Sequence, residues 1–346
     1  MLFSLYPTDP AAVRSAVIDQ VLRRGGDGPV FTSLHLPESD GLAEWGGLLR
    51  DLHREHGLQF CGDISPLTLD RLGGGAAALD RLRDWGLAVL RIDFGFDPAQ
   101  IRRIAERTGC RIAVNASTVQ EPELDALAGL PLVGWHNYYP RPETGLALDH
   151  YLRQDRIFGD RGLPLFVFLP GEVTFRPPIG EGLPTLEHQR HRTVWRNYLE
   201  LRRLSPDSTV VCAEGVVAED HLDWIEHHQR TGEVTVPLTG LDPVVRDLVE
   251  GPRRLRIDGA RSSFRLEGTR GDGVPARRRN GDLRPRGSLQ IDLPAAGRYQ
   301  GEVHLMREDL PLHPWQSWVG AVAGPYTGMV AELSPGQVIR PVPFEP

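Results

Sequence analysis

The sequence contains no lysine, so all 39 of its basic residues are arginine. Chemistry that needs a Schiff base between a lysine amine and a carbonyl is therefore excluded. The basic residues are outnumbered by 46 acidic ones, and the net charge of −7 disfavours a general nucleic-acid binder, which needs a basic face. We therefore expect no nucleic-acid partner.

Cysteines are few, and long apolar runs are missing. The three cysteines, Cys61, Cys110 and Cys212, lack metal-ligand spacing and lie in or beside apolar runs, which is typical of buried thiols in a reducing compartment. No run approaches the roughly 18 apolar residues of a membrane span. The N-terminal MLFSLYPTDP lacks the pattern of a signal peptide. These features predict a cytoplasmic protein without a membrane partner.

The first two-thirds of the chain repeats one pattern, in which a short apolar run ends in polar residues and an amphipathic helical segment follows. Eight runs are predicted as strands: near Leu2–Tyr6, Val30–Leu36, Leu58–Ile64, Ala88–Phe94, Arg111–Val114, Leu132–Trp135, Leu165–Leu169 and Thr209–Ala213. This alternation predicts an α/β fold, a closed (β/α)8 TIM barrel over residues 1–232. The alternative is an open doubly wound sheet. A Gly-rich turn after the first strand would favour it, but no such turn follows Tyr6.

From Glu233 onwards the runs become short and alternating, with frequent Gly and Pro between them. This pattern predicts a small, mostly-β second domain over residues 233–346, in which Pro243–Glu250 is helical. The Arg-rich stretch Gly271–Gly287 also contains Gly, Pro and Asp, which is typical of a mobile loop.

The densest group of polar residues is the stretch Gly134–Gly145, which reads GWHNYYPRPETG. Two prolines argue against a continuing central strand, so a buried strand leads here into a stiff loop. Such a loop is how a rigid scaffold presents a binding site. Polar residues also end the other predicted strands, where barrel active sites lie. They include Tyr6, His35, Asp63, Asp93, Asn115, His136, Asn137, Tyr139, Glu172 and Glu214.

Several carboxylates beside His, Asn and Tyr suit carbohydrate chemistry, because a glycosidase uses one carboxylic acid and usually a second carboxylate. The catalytic candidates are Asp63, Asp93 and Glu172. Glu172 follows Pro170–Gly171 and is the candidate acid. Arg91 and Asp93 share one strand face, and an ion pair between them would keep Asp93 ionised.

The segment Arg176–Arg190 is the second dense stretch. Thr185 is predicted to cap a helix over Thr185–Leu204, and the functional alternative is an anion site at that helix N-terminus with Arg176 as a clamp. The plain structural alternative is a capped helix that follows a Pro/Gly loop.

Ordered motifs along the chain resemble those of the bacterial 6-phospho-N-acetylmuramidase family. They are SLYP (Ser4–Pro7), FTSLHLPE (Phe31–Glu38), DISP (Asp63–Pro66), RIDFGF (Arg91–Phe96), NAST (Asn115–Thr118), HNYYPRPETGL (His136–Leu146), EGLPTLEHQR (Glu181–Arg190) and GRYQGEVHLMREDLP (Gly297–Pro311). The sequence departs from the family pattern at Glu172, where Asp is usual, at Gly180, where an aromatic is usual, and in CAEG after the last barrel strand.

The resemblance implies a TIM barrel followed by a cyclophilin-like β domain. It implies hydrolysis of the bond between 6-phospho-N-acetylmuramic acid and N-acetylglucosamine in cell-wall recycling, with no cofactor and no metal. Arg141 and Arg176 are then the charged anchors of the substrate. The other substrate-binding candidates are Tyr6, His35, Asn115, His136, Asn137, Tyr139 and Glu181.

Two other functions stay open at this point. A metal-dependent sugar isomerase or epimerase would use His35, Asp63, His136 and Glu172 as ligands. A non-catalytic sensor would bind the sugar phosphate without turnover. The oligomeric state, a homodimer included, is also open.

Overall fold

The structure is a computed structural model that describes residues 1–34, 41–245, 250–271 and 281–344. The candidate His35 and most of the Arg-rich stretch lie outside these residues. The chain divides into two compact units, Met1–Glu219 and Asp220–Pro346, upstream of the predicted boundary at residue 232. Within the described residues, no helix combines the length and apolar character needed to span a membrane.

Seven parallel strands of the first unit form one sheet in the order of the chain. They are β1 (Val30–Ser33), β2 (Phe60–Ile64), β3 (Leu87–Ile92), β4 (Arg111–Asn115), β5 (Leu132–Trp135), β6 (Leu165–Leu169) and β7 (Thr209–Cys212). The predicted first strand closes the ring through two single bridges, from Leu2 to Val211 and from Ser4 to Phe31. The predicted TIM barrel is confirmed.

Helices alternate with these strands, as the sequence predicts. They are α1 (Ala11–Arg24), α2 (Leu42–His56), α3 (Pro66–Arg71), α4 (Gly75–Asp84), α5 (Pro98–Thr108), α6 (Glu121–Ala126), α7 (Leu148–Gly159), α8 (Val194–Leu204) and α9 (Glu219–Thr231). The clearest local signals frame α5. Asp97 and Gln100 form a capping box at its start, and Gly109 adopts a positive φ of 68° at its end.

Inward-facing aromatic side chains fill the barrel. Trp135 stacks on Phe166 with ring centroids 4.2 Å apart, and Phe31 packs edge-on against Phe168 at 4.9 Å. Tyr138 packs against this cluster from the loop after β5. Full burial of a large apolar side chain contributes roughly 1.5–3 kcal/mol, so this core fixes the strand ends that carry the candidate site.

The second unit is mostly β, as predicted. Its strands are β8 (Val234–Thr239), β9 (Arg253–Arg254), β10 (Ser263–Arg265), β11 (Leu283–Arg284), β12 (Ser288–Asp292), β13 (Val303–Met306), β14 (Leu310–Pro311), β15 (Gln316–Val322) and β16 (Val338–Pro343). Seven of them form a sheet in the order β10-β13-β12-β15-β8-β16-β9, and β11 pairs with β14.

One expectation for the second unit is wrong in part. Leu283 and Arg284, at the end of the predicted mobile loop, form a strand, and Arg284 is buried because its guanidinium donates to Pro311 O and Gln316 Oε1. The predicted helix at Pro243 begins as a short 3-10 turn, Pro243–Val245, and residues 246–249 lie outside the described part of the chain.

Candidate active site

One buried guanidinium joins residues at the ends of three barrel strands. Nη1 of Arg91 lies 2.8 Å from Oδ1 of Asp63 and 3.9 Å from Oδ1 of Asp93. Nη2 of Arg91 donates to Oδ1 of Asn137. Asp63 and Arg91 each come two residues after an inward-facing core residue, Cys61 and Val89 respectively, so strand alternation directs both into the barrel mouth. Arg91 therefore holds three of the predicted site residues in one cluster.

The expected ion pair between Arg91 and Asp93 is present at 3.9 Å, and Arg91 forms a shorter one with Asp63. Asp63 stands directly beside Arg91 in the register of β2 and β3, and this places the two charges in contact. Burial raises the pKa of Asp63 above its ordinary value, although Arg91 acts in the opposite direction. Asp63 is thus a partner that positions Arg91 as well as a carboxyl group of the site.

Asp93 is the more accessible carboxylate of this cluster. Its side chain is 32% exposed, against 12% for Asp63. Asp93 lines a cleft of about 810 Å³ together with Asn115 and several apolar side chains that include Phe94 and Phe96. This cleft is large enough to hold a sugar ring, and Asp93 is the carboxylate of the Arg91 cluster that lines it.

A second cluster forms around Arg176, in the loop after β6. Its guanidinium lies 4.2 Å from the ring centroid of Tyr6, and its Nη2 donates to Thr8 Oγ1 at 3.0 Å. Nη1 is 3.4 Å from the hydroxyl of Tyr138, whose ring packs edge-on against Tyr6. Tyr6 is fully buried, and its hydroxyl donates to Ala213 O at 2.7 Å. Its ring is therefore held in place where the guanidinium of Arg176 packs against it.

Glu214, directly after β7, is a buried carboxyl group in the same cluster. Its Oε2 accepts a 2.6 Å hydrogen bond from the backbone N–H of Arg176. Its Oε1 makes no hydrogen bond within the described ranges of the chain. Burial raises the pKa of Glu214 to about 7, and the Arg176 N–H opposes this only in part. A carboxyl group with that pKa can donate a proton near neutral pH.

Glu172, the predicted acid, uses its carboxylate on backbone groups. It accepts from Ala218 N at 3.0 Å and from Val194 N, the first residue of α8, at 3.4 Å. The predicted helix start at Thr185 is wrong, because α8 begins at Val194 and is capped by Thr193. The Thr185 hydroxyl instead accepts from Phe168 N and donates to Asn137 O, so it does not cap α8.

Asn115 and His136 belong to one hydrogen-bonded network around Ser117. Asn115 Oδ1 accepts from Ser117 N at 3.0 Å, and Ser117 Oγ is 3.0 Å from Nδ1 of His136 and accepts from Asn137 N at 2.9 Å. Burial lowers the pKa of His136 to about 3, and the charge on Arg91 adds to the effect. His136 is therefore neutral at physiological pH and positions the β5 end rather than carrying charge.

Arg190 holds the two densest sequence stretches together. It is buried, forms a bidentate pair with Glu187 at 2.6 and 2.7 Å, and donates to Tyr139 O and Gly182 O. Hydrogen bonds, first from Arg190 and then from the N–H groups of Glu143 and Gly145, hold the pKa of Glu187 at about 2. The loop that carries Tyr139 is therefore fixed by the buried Arg190, which lies within the range predicted as the helix Thr185–Leu204.

Arg141 and Glu181 are both exposed at the rim of this structure. Within the described residues the guanidinium of Arg141 has no ion-pair or hydrogen-bond partner, whereas its carbonyl oxygen accepts from Arg190 and Thr144. The backbone at Arg141 is thus held by hydrogen bonds, and its role as an anion anchor stays a prediction.

The ligand set of the isomerase alternative is not assembled by the described residues. Asp63, His136 and Glu172 do not bring their ligand atoms within 4.8 Å of one another, and Asp63 already faces a guanidinium at 2.8 Å. The fourth member of that set, His35, lies outside the described residues.

Comparison with known proteins decides the family. The model of the family described as 6-phospho-N-acetylmuramidase, N-terminal, matches residues 3–227. The chain belongs to this family. The resemblance inferred from the sequence is thereby confirmed, and the matched range contains every candidate residue named for the site. No curated protein gives a significant match to the chain.

Solved structures of similar proteins extend the likeness over nearly the whole chain. A conserved Enterococcus faecalis protein of unknown function is 25% identical, with a TM-score of 0.82 over 99% of this chain and 96% of that one. An uncharacterized B. cereus protein is 21% identical, with a TM-score of 0.76 over 98% of each chain. These relatives share the fold of this 6-phospho-N-acetylmuramidase family member.

Three residues of the site were not predicted as catalytic or substrate-binding residues: Arg91, Tyr138 and Glu214, of which Glu214 was named only among the polar residues that end the strands. Each had a visible signal, since Arg91 and Tyr138 lie in the RIDFGF and HNYYPRPETGL motifs and Glu214 follows a predicted strand. Arg91 and Glu214 are buried and Tyr138 is partly buried against the barrel core, which no local sequence pattern reports.

Proposed function

We propose that this chain is a glycosidase that cleaves the bond between 6-phospho-N-acetylmuramic acid and N-acetylglucosamine, in cytoplasmic cell-wall recycling and without a cofactor. One observation carries the proposal beyond family membership. A buried carboxyl group with a pKa of about 7, Glu214, and an accessible carboxylate, Asp93, lie at the same end of the barrel. Two carboxyl groups in such different environments are what acid–base glycoside cleavage requires.

In this proposal Glu214 is the general acid. Its protonated form would donate to the glycosidic oxygen as the bond to the sugar breaks. Asp93, 3.9 Å from the Arg91 guanidinium, would act as the nucleophile or the base for water. Glu172 would position the acid, because it binds Ala218 N in the loop that follows Glu214.

Two arginines would recognise the charged groups of the substrate. Arg176 presents a guanidinium held by Tyr6 and Thr8, and Arg141 presents one without a partner among the described residues. Guanidinium groups bind phosphate and carboxylate oxygens in a bidentate manner, so the pair suits the 6-phosphate and the lactyl carboxylate. For the second unit we propose a cyclophilin-like fold without prolyl isomerase activity.

The test is incubation of the purified chain with the phosphorylated disaccharide and with its unphosphorylated analogue. Release of N-acetylglucosamine from the first alone would support the reaction and its substrate. Binding without release would favour the sensor, and activity that chelation abolishes would favour a metal enzyme. Release from neither substrate, with no binding, would overturn the proposal.

Variants then separate the roles of the carboxyl groups. Glu214→Gln and Asp93→Asn should each lower kcat by orders of magnitude, whereas Glu172→Gln should cost less because the amide oxygen can still accept one of the two backbone hydrogen bonds. Near-normal turnover in both of the first two variants would remove them from the mechanism.

A further inference from the structure

Three side chains of the second unit bring potential metal ligands together, far in sequence from the barrel site. They are Asp292 on β12, His304 on β13 and Glu302 just before β13, and their ligand atoms all lie within 4.8 Å of one another. Antiparallel pairing of β12 with β13 sets this arrangement. No other group of this kind occurs among the residues the structure describes.

The distances within the group suit a small divalent cation. Nε2 of His304 lies 3.1 Å from Oδ2 of Asp292 and 3.9 Å from Oε2 of Glu302. Ligand bonds of about 2.1 Å in tetrahedral geometry place neighbouring donor atoms about 3.4 Å apart, between these two values. The two distances from His304 thus bracket the spacing that a tetrahedral ion requires.

Each of the three side chains is oriented by a partner outside the group. Ser263 Oγ lies 3.3 Å from Nδ1 of His304, Gln316 Nε2 donates to Asp292 Oδ1 at 2.8 Å, and Arg270 pairs with Oε1 of Glu302. With Nδ1–H donating to Ser263, Nε2 of His304 is the nitrogen left for a metal. Such partners are typical of metal sites, where they fix the tautomer and the direction of each ligand.

An unpartnered buried oxygen belongs to a residue on the same face of the sheet as the group. Gln290 is fully buried and stands directly opposite His304 in the register, so both lie on one face of the sheet. Its Nε2 donates to Ser288 Oγ at 2.8 Å, but its Oε1 has no hydrogen-bond partner among the described residues. A buried amide oxygen without a donor has a free-energy cost that an ion would remove.

We propose that Asp292, Glu302 and His304 form a binding site for a borderline divalent cation, for which Zn2+ is the probe. One imidazole nitrogen and two carboxylate oxygens are a donor set that Zn2+ and Mn2+ accept. Three protein ligands leave at least one position for water or for the amide oxygen of Gln290. The His304 side chain is 13% exposed, which gives the ion a route from solvent.

Calorimetric titration of ZnCl2 into the chelator-treated full chain tests the proposal. We expect one tightly bound equivalent, and His304→Gln should weaken its binding at least about hundredfold. Ser263→Ala should weaken it about tenfold, since loss of an outer partner typically costs 10–100-fold in affinity. The matched control is His227→Gln, because His227 pairs with a single carboxylate, Glu233 at 2.8 Å, in the same unit. It should bind Zn2+ as the wild type does.

Far-UV circular dichroism of the metal-free variants shows whether each one folds. If His304→Gln fails to fold, Ser263→Ala and the visible absorption of the Co2+-loaded wild type decide the matter. Two results would overturn the site: a wild-type protein that binds no Zn2+, or folded Ser263 and His304 variants that bind Zn2+ as tightly as the wild type. Either one would show that the group is a hydrogen-bond network only.

Discussion

The backbone N–H of Arg176 donates a 2.6 Å hydrogen bond to the buried carboxyl group of Glu214. This contact joins the loop after β6 to the loop after β7. Arg176 and the carboxyl group of Glu214 therefore lie at the same end of the barrel. Since burial raises the pKa of Glu214 to about 7, both protonation states of this group are populated near neutral pH.

The first prediction concerns the pH dependence of turnover. If Glu214 is the acid, kcat/KM should fall as pH rises through about 7, because the proton it donates is then lost. Glu214→Gln should remove this alkaline limb together with most of the activity. The measurement is a pH–rate profile with the phosphorylated disaccharide. An unchanged limb in the residual activity of the variant would assign it to another group.

The second prediction concerns stability, which Glu214→Gln should raise although it lowers activity. A carboxyl group whose folded pKa is raised from 4.5 to about 7 binds its proton more tightly in the folded state, so the free energy of unfolding falls as pH rises across this window. Glu214→Gln removes the penalty, which amounts to at most about 3 kcal/mol above pH 7. Urea unfolding at pH 5 and pH 8 should therefore show a gain at pH 8 alone.

Glu200 provides the matched control for that experiment. It is also buried, but hydrogen bonds from His188 and Gln189 outweigh burial and hold its pKa at about 2. Its ionised form stabilises the fold above about pH 4.5, so Glu200→Gln should destabilise the protein at both pH 5 and pH 8. Loss of stability at pH 8 in both variants would contradict the argument for Glu214.

The third prediction concerns the ion pair of Arg91 with Asp63. Asp63→Asn leaves a buried guanidinium without its closest countercharge, which should lower the free energy of unfolding by about 3 kcal/mol. Asp80→Asn breaks an exposed pair of similar length, Arg107 to Asp80 at 2.7 Å, and should change little. Equal effects in the two variants, measured by chemical unfolding, would show that burial does not govern the pair.

The fourth prediction concerns Arg141 as an anion anchor. Because its guanidinium has no partner within the described residues, Arg141→Gln should leave the thermal midpoint unchanged. It should raise KM for the phosphorylated disaccharide tenfold or more, which corresponds to the loss of a charge-assisted contact of about 1.4 kcal/mol or greater. The readouts are a melting curve and steady-state kinetics. An unaltered KM would move the anion site to Arg176 alone.

Local sequence patterns predicted the barrel well because each βα unit carries its own signal. Asp97 and Gln100 frame a helix start, and apolar runs at the right spacing mark the strands. The same reasoning failed at Thr185, whose hydroxyl resembles a helix cap but bonds Phe168 N and Asn137 O instead. These partners are distant in sequence, so no window around Thr185 contains them.

The sequence by itself determined the alternating fold and the polar residues that end the strands, through the spacing of its apolar runs, and it indicated the family through its ordered motifs. Tertiary structure alone decided that Arg91 pairs with Asp63, that Glu214 is the carboxyl group with the raised pKa, and that Asp292 and His304 meet across two strands. The physical reason is that ion pairing, burial and shared ligation depend on distances between residues far apart in the chain, which strand register and packing fix.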